Sequence, residues 1–168
     1  MNAVLKPSSP PQRLRPMTVL DLEAVMAIER SAYSHPWTRG NFVDSLAAGY
    51  VAEVLVHADG RLLGYFIALH GVEEMHLLNI TVAVAEQGQG LGGALLDVLE
   101  QRARAKAART LWLEVRVGNV RARRLYERRG FRQVGLRRGY YPAGLARRED
   151  AVVMSLTLDD SGDGDALD

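Results

Sequence analysis

The stretch AEQGQGLGGALL, residues 85–96, sets four glycines between an apolar run and the start of a helical pattern. A helix start presents unpaired N–H groups and the positive end of the dipole, and glycines let a ligand come close to the backbone, so such a loop can hold a phosphate. A nucleotide-hydrolysing loop needs G-x-x-x-x-G-K-[ST]; no Lys followed by Ser or Thr occurs, which argues against that chemistry. The dinucleotide pattern G-x-G-x-x-G is formally matched by Gly88, Gly90 and Gly93, with Glu114 near the place of a ribose-binding acid. Against it, Glu114 lies 26 residues beyond Gly88 and inside a strand pattern, and the 80 residues that follow Gly88 are too few for the βα units such a fold needs. A third reading takes the same loop as Gln87-x-x-Gly90-x-Gly92.

The elements that must position this loop can be read on either side of it. Thr18 opens a helical pattern with Leu22, Val25, Met26 and Glu29 on one side. Pro36 disfavours helix at His35, and Thr38 starts a second short helix through NFVDSLAAG. YVAEVLVHADGRLLGYFIALHG predicts two strands around a turn at Asp59-Gly60. MHLLNITVAV is almost continuously apolar, which predicts a central strand. From Gly90 onward Leu91, Leu95, Val98, Leu99 and Arg102 trace a helix that continues into RARAKAA. TLWLEVRV then alternates, with Leu111, Leu113, Val115 and Val117 on one face and Trp112, Glu114 and Arg116 on the other. Asn119 is placed to cap a helix carrying Ala122, Leu125 and Tyr126, and after Gly130 come FRQVGLRRGYYP and a last strand, EDAVVMSLTL. The order is mixed α/β.

With 168 residues, 48% hydrophobic and 24% charged, the chain is expected to form one globular domain. No run reaches the roughly 18 apolar residues of a membrane span, and MNAVLKPSSPPQ lacks the apolar centre of a secretory signal, so a cytoplasmic protein without membrane association is expected. The absence of cysteine excludes disulfides, thiolate metal sites and a cysteine acyl-enzyme. His57, His70 and His76 have no companion at metal-ligand spacing, so no metal site is expected, and HGVEEMH reads as a loop entering a strand. The net charge of +1 becomes +6 without the last ten residues, DDSGDGDALD, which carry five Asp. Nine arginines fall between Arg116 and Arg138; a solvated helix surface explains them, with help to a bound phosphate or attraction of an anionic target as further uses, and direct nucleic-acid binding is not expected.

LLNITVAVAEQGQGLGGALL, then LWLEVRVGN, RLYERRGF and RRGYYP, taken in this order, resemble the GNAT acetyltransferases, most closely the RimI family of protein N-terminal acetyltransferases. The resemblance spans residues 13–158. It implies the GNAT fold, a mixed central β-sheet flanked by helices on both faces, with flexible tails at 1–12 and 159–168. Two departures stand out: Ala83-Val84 replaces the Asp-Pro often found before the loop, and Glu86 and Gly88 stand where an aromatic residue and an arginine are common.

By this resemblance the loop Gln87, Gly88, Gln89, Gly90, Leu91, Gly92 and Gly93 cradles the diphosphate of acetyl-coenzyme A. Main-chain groups of Ile80, Thr81 and Val82 pair with its pantetheine arm, and Asn119 also contacts it. Glu114 is implied as the general base and Tyr126 as the acid that protonates the departing thiolate. A phenol, with a pKa of about 10, suits a thiol at about 8.5. His35, Pro36, Trp37, Tyr140 and Tyr141 are implied as walls of a slot for the first residues of a peptide, with Glu29 helping to orient them. The implied acceptor is a protein N-terminus, that of a ribosomal protein. A neutral lysine at pH 7 would cost roughly 3 kcal/mol more than a neutral α-amine, which favours N-termini. A lysine or small-amine acetyltransferase, a silent acyl-coenzyme A sensor and a nicotinamide-binding protein remain as alternatives.

Overall fold

The computed structural model describes residues 12–158. In chain order the elements are β1 (Gln12–Pro16), α1 (Leu22–Ala32), α2 (Arg39–Ala47), β2 (Val51–His57), β3 (Leu62–His70) and β4 (Glu74–Val82). They continue with α3 (Leu91–Ala105), β5 (Thr110–Arg116), α4 (Val120–Arg128), β6 (Arg132–Pro142) and β7 (Arg148–Thr157). One seven-stranded sheet has the order β1-β2-β3-β4-β5-β7-β6. Every neighbouring pair is antiparallel except β4 with β5. That single parallel pair is incompatible with the all-parallel doubly wound sheet of a dinucleotide fold, so the Gly88-Gly90-Gly93 match is formal only.

Helices cover both faces. Leu22, Val25, Met26 and Phe42 from α1 and α2 pack on Val54, Tyr65 and Ile67 of β2 and β3. On the other face Leu95, Leu96, Leu99 and Ala103 of α3 close over Leu63, Phe66, Leu111 and Leu113. The three α3 leucines are wholly buried, each contributing about 1.5–3 kcal/mol of transfer free energy. They make α3 a fixed platform, so the loop that begins it is held in place.

Local chemistry explains most of the element ends. Thr38 accepts from Asn41 N–H at 3.1 Å and its own N–H donates to Asn41 Oδ1 at 2.9 Å, a reciprocal cap that starts α2 directly after the Pro36 break. Asn119 accepts from Ala122 N–H at 3.2 Å and starts α4. Thr18 precedes a single 3-10 turn, Val19–Asp21, rather than α1 itself, because the Asp21 carboxylate takes the Thr18 N–H at 2.8 Å and a two-pronged bond from Arg15. β1 was not legible as a strand: it is a short edge segment with Arg13 and Arg15 and a terminal proline, which only an edge tolerates. It takes Gln12 into the sheet, one residue before the expected start of the domain. Of the tails expected at 1–12 and 159–168, all but Gln12 lie outside the described residues.

Among the described residues no helix is long and apolar enough to cross a membrane.

Candidate functional site

The site begins with a β-bulge. On β4, Asn79 pairs with Ile67 and Leu77 with Ala68, so Leu78 is an extra residue with no partner on β3. The extra residue reverses which face the side chains take. Before it, Met75 and Leu77 pack toward α3; after it, Ile80 and Val82 do, while Asn79 and Thr81 turn to the α1 side. Pairing of β4 with β5 also stops there, its last partners being Leu77 and Leu113. Beyond that point the two strands part, and the opening is a cleft of about 820 Å³.

Its upper wall is an unpaired strand edge. Ala83 N–H donates to Leu63 O at 2.8 Å, so by the two-residue alternation Thr81 points its main-chain groups at β3 while Ile80 and Val82 point theirs into the cleft. This narrows the three residues expected to pair with a pantetheine arm to two. Thr81 instead offers Oγ1, 2.8 Å from the Tyr33 hydroxyl, which itself donates to Ile80 O at 3.0 Å. Gly64 makes the close approach of β3 to β4 possible: a Cβ there would lie 2.6 Å from Thr81 O.

At the mouth sits the glycine loop. The first bond of α3 is Ala94 N–H to Gly90 O. No main-chain or side-chain acceptor among the described residues takes the N–H of any residue from Gly88 to Gly93. Gly88 and Gly90 have φ of +83° and +81°, a left-handed conformation that side chains resist. Six free N–H groups at a helix start fit a diphosphate, and the open β4 edge fits an amide-bearing chain that continues from it. Gln87 lines the same mouth and donates to Val82 O at 3.2 Å. Gln89 differs: its side chain turns back to Glu86 and does not line the cleft. Asn119 lines it while also capping α4.

Deeper in lies Glu114. Its side chain is 10% exposed, on the polar face of β5 that the alternation predicted. His76 Nε2 is 2.5 Å from Glu114 Oε2, and Arg137 Nη2 is 3.6 Å from Oε1. The bond from His76 holds the carboxyl below its ordinary range against the opposing effect of burial, and the charge of Arg137 adds to it. His76, placed from sequence at the start of the strand MHLLNITVAV and set aside as a metal ligand, was missed because only the parallel register of β4 on β5 brings it within reach of Glu114. Tyr126 also lines the cleft, buried at 7% exposure and packed on Phe131 with ring centroids 5.6 Å apart. Burial raises its pKa above the ordinary phenol value, so it keeps its proton, and no group among the described residues bonds its hydroxyl. A carboxylate and a neutral phenol thus face one cleft, an acid–base pair whose environments separate their protonation states.

The expected peptide walls are brought together only in part. His35, Trp37 and Tyr141 line the cleft, whereas Pro36 and Tyr140 do not. Tyr140 packs edge-on against the Tyr141 ring with centroids 4.9 Å apart, on the outer side of it, is 42% exposed and lies under the Arg137 guanidinium at 5.1 Å. Tyr141 sits under Arg116 at 4.5 Å, and burial pushes its pKa up to about 12. Glu29 is fully buried and does not present a free oxygen. Oε1 accepts from Trp37 N–H at 2.9 Å, Oε2 accepts from the Tyr65 hydroxyl, and Asn79 Nδ2 approaches both at 3.2–3.3 Å. It anchors the loop that carries His35 and Trp37.

Sheet order, bulge, parted strands and glycine loop are those of a coenzyme A-dependent acyltransferase. Residues 22–131 match the Acetyltransferase (GNAT) family, and the chain belongs to that family of acetyl-coenzyme A-dependent N-acetyltransferases. Among curated proteins it is similar to the ribosomal protein bS18-alanine N-acetyltransferase of Escherichia coli strain K12, 38% identical over 138 residues, covering 82% of this chain and 92% of that protein. The protein of the same name from Haemophilus influenzae is 37% identical over 138 residues, 82% of this chain and 93% of its own. The crystal structure of the ribosomal-protein-S18-alanine N-acetyltransferase from Escherichia coli superposes with a TM-score of 0.82 at 34% identity, covering 93% of this chain and 99% of that one.

Proposed function

We propose that the chain transfers the acetyl group of acetyl-coenzyme A to the α-amine of a protein N-terminus, the N-terminal alanine of ribosomal protein bS18. The acceptor is supported by the names of relatives that cover most of the chain. The site assignment is carried by one observation: the free N–H run at Gly88–Gly93 opens the same cleft that holds Glu114 and Tyr126.

The coenzyme supplies an activated acetyl thioester. Gly88, Gly90, Leu91, Gly92 and Gly93 hold its diphosphate through main-chain N–H groups, and Ile80 and Val82 align the arm along β4. Glu114 takes the proton of the acceptor ammonium, leaving a neutral amine whose lone pair forms the new N–C bond. Tyr126 gives its hydroxyl proton to the sulfur as the C–S bond breaks, the second proton of the attacking nitrogen returns to the Tyr126 phenolate as the amide forms, and Glu114 releases its proton to solvent, so charge and protons balance without a cysteine acyl-enzyme. His35, Trp37 and Tyr141 border the path by which the N-terminus enters, with Glu29 fixing the loop behind them.

The test is thiol release with short peptides that differ in their first residue, each with a free and a blocked α-amine. Turnover of an alanine-initiated peptide that disappears on blocking is the expected result. Equal turnover of blocked peptides through a lysine would sink the N-terminal reading, and coenzyme binding without thiol release would indicate a sensor.

A further inference from the structure

The anion cradle carries no cation of its own. From Ala83 to Gly93 the only charged side chain is Glu86, a carboxylate that is itself held by Arg61. A diphosphate bound by main-chain N–H groups alone would keep its own charge uncompensated by any side chain of the loop, so a cation that reaches the mouth from another element would strengthen its binding.

α4 supplies one. Arg121, in its first turn, lines the cleft mouth. Its Nη1 is 3.5 Å from Gln87 Oε1, a contact too long to hold the guanidinium, and Nη2 lies 4.0 Å from where a Gly88 Cβ would be. No acidic side chain among the described residues pairs with Arg121. Of the other arginines nearby, Arg116 pairs with Glu149, Arg123 bonds Val117 O and Arg129 is held by Asp97 and Glu100; Arg128, at the last turn of α4, also lines the cleft, but it is Arg121 that approaches Gly88. Gly88 at φ +83° disfavours a long side chain on the loop itself, and its missing Cβ leaves the space toward which Arg121 reaches.

We infer that Arg121 is the phosphate-binding side chain of this acyltransferase, reaching across from α4 to the diphosphate of the coenzyme in place of a cation on the glycine loop. The inference rests on the acetyl-coenzyme A reading of the cleft. A guanidinium presents paired N–H donors to phosphate oxygens, so a lysine at this position replaces the charge but not the fork.

Calorimetric titration of the full chain tests it with two ligands, acetyl-coenzyme A and S-acetylpantetheine, which lacks the diphosphate. Arg121→Gln is expected to weaken acetyl-coenzyme A roughly tenfold or more, to flatten the dependence of its Kd on salt, and to leave S-acetylpantetheine binding unchanged. Arg121→Lys should fall between, and Arg124→Gln, an exposed arginine outside the cleft lining, should match the unaltered chain. Unchanged acetyl-coenzyme A affinity in Arg121→Gln would overturn the inference, as would equal losses for both ligands. If the unaltered chain bound neither ligand, the acyltransferase reading would fall and this inference with it.

Discussion

His76 Nε2 lies 2.5 Å from Glu114 Oε2: a histidine inside the closed part of the β4–β5 ladder, paired with Trp112, reaches diagonally along the polar face to the first residue of β5 beyond that ladder. The bond does two things to Glu114. It fixes the carboxylate rotamer, and it favours the charged form of a side chain that is nine-tenths buried. His76 acts through Glu114 and is a positioning residue. Replacing it by Ala removes both effects, leaving the upward effect of burial on the Glu114 pKa opposed only by the charge of Arg137. The acidic limb of kcat should therefore move to higher pH in His76→Ala, with about a tenfold loss at neutrality. Glu114→Gln should lose more, about a hundredfold or beyond, while still binding acetyl-coenzyme A. A thiol-release pH profile of His76→Ala that overlays the unaltered one would remove His76 from this role.

The pH dependence of the unaltered protein follows from the same shifts. Glu114 has a folded pKa below its unfolded value, so its contribution to stability is present above the unfolded pKa of about 4.3 and is lost as pH falls through the lower folded one. Near neutrality it is already charged and gives no limb. Tyr126 is shifted the other way by burial and stays protonated beyond pH 10. The group left to titrate is the acceptor ammonium, with a pKa of about 8. For an alanine-initiated peptide, kcat/KM should climb about tenfold per pH unit below that value and level off above it. An inflection near pH 4 to 5 followed by a flat profile would place the titrating group on the protein instead.

The glycine loop, the cap at Asn119 and the two-faced strand around Glu114 were legible because each is written in consecutive residues with a local physical meaning. The cleft itself was not. It depends on Leu78, an ordinary apolar residue in an apolar run, becoming the extra residue of a bulge; nothing in MHLLNITVAV marks that position, and the run reads as one uninterrupted strand. The reversal of faces at Leu78 also explains why Asn79 and Thr81 are buried against α1, which a strict alternation from Met75 would have placed on the α3 side. His76 and Arg121 were out of reach for a related reason: each meets its neighbour only across a contact between elements. Tyr140 and Tyr141, whose rings touch, could not be told apart until the cleft that only Tyr141 lines was formed.

Gly64 offers a test of how tightly the cleft depends on the backbone. Its Cα faces Thr81 O so closely that an added Cβ would stand 2.6 Å from that oxygen and 3.2 Å from Leu95 Cδ1. Both neighbours are fixed, one as main chain and one as a wholly buried side chain. Gly64→Ala should destabilise the fold by about 1–3 kcal/mol, read as a lower denaturant midpoint at unchanged slope. Because β4 would have to move away from β3, toward the open side, coenzyme affinity should fall with it. A stability equal to that of the unaltered chain would mean that β3 and β4 are free to separate without cost.

Glu29 is the last test, since its burial separates an anchoring role from direct contact with the peptide. At 1% exposure its oxygens are committed to Trp37 N–H, the Tyr65 hydroxyl and Asn79. The same carboxylate raises the pKa of Tyr65, second only to the effect of burial, which keeps that hydroxyl a donor. In Glu29→Gln an amide N–H₂ must take the place of one acceptor oxygen, so at least one of these donors loses its partner inside the core. The expected cost is about 1.5–3 kcal/mol, against about 1 kcal/mol for Tyr65→Phe, which removes a donor and leaves the carboxylate bonded to Asn79 and Trp37. Since the Trp37 bond ties the loop bearing His35 to α1, the KM for peptide should rise more than the KM for acetyl-coenzyme A. Paired denaturation and steady-state measurements separate the two roles: a stable Glu29→Gln variant that lost only peptide binding would show that the carboxylate touches the acceptor after all.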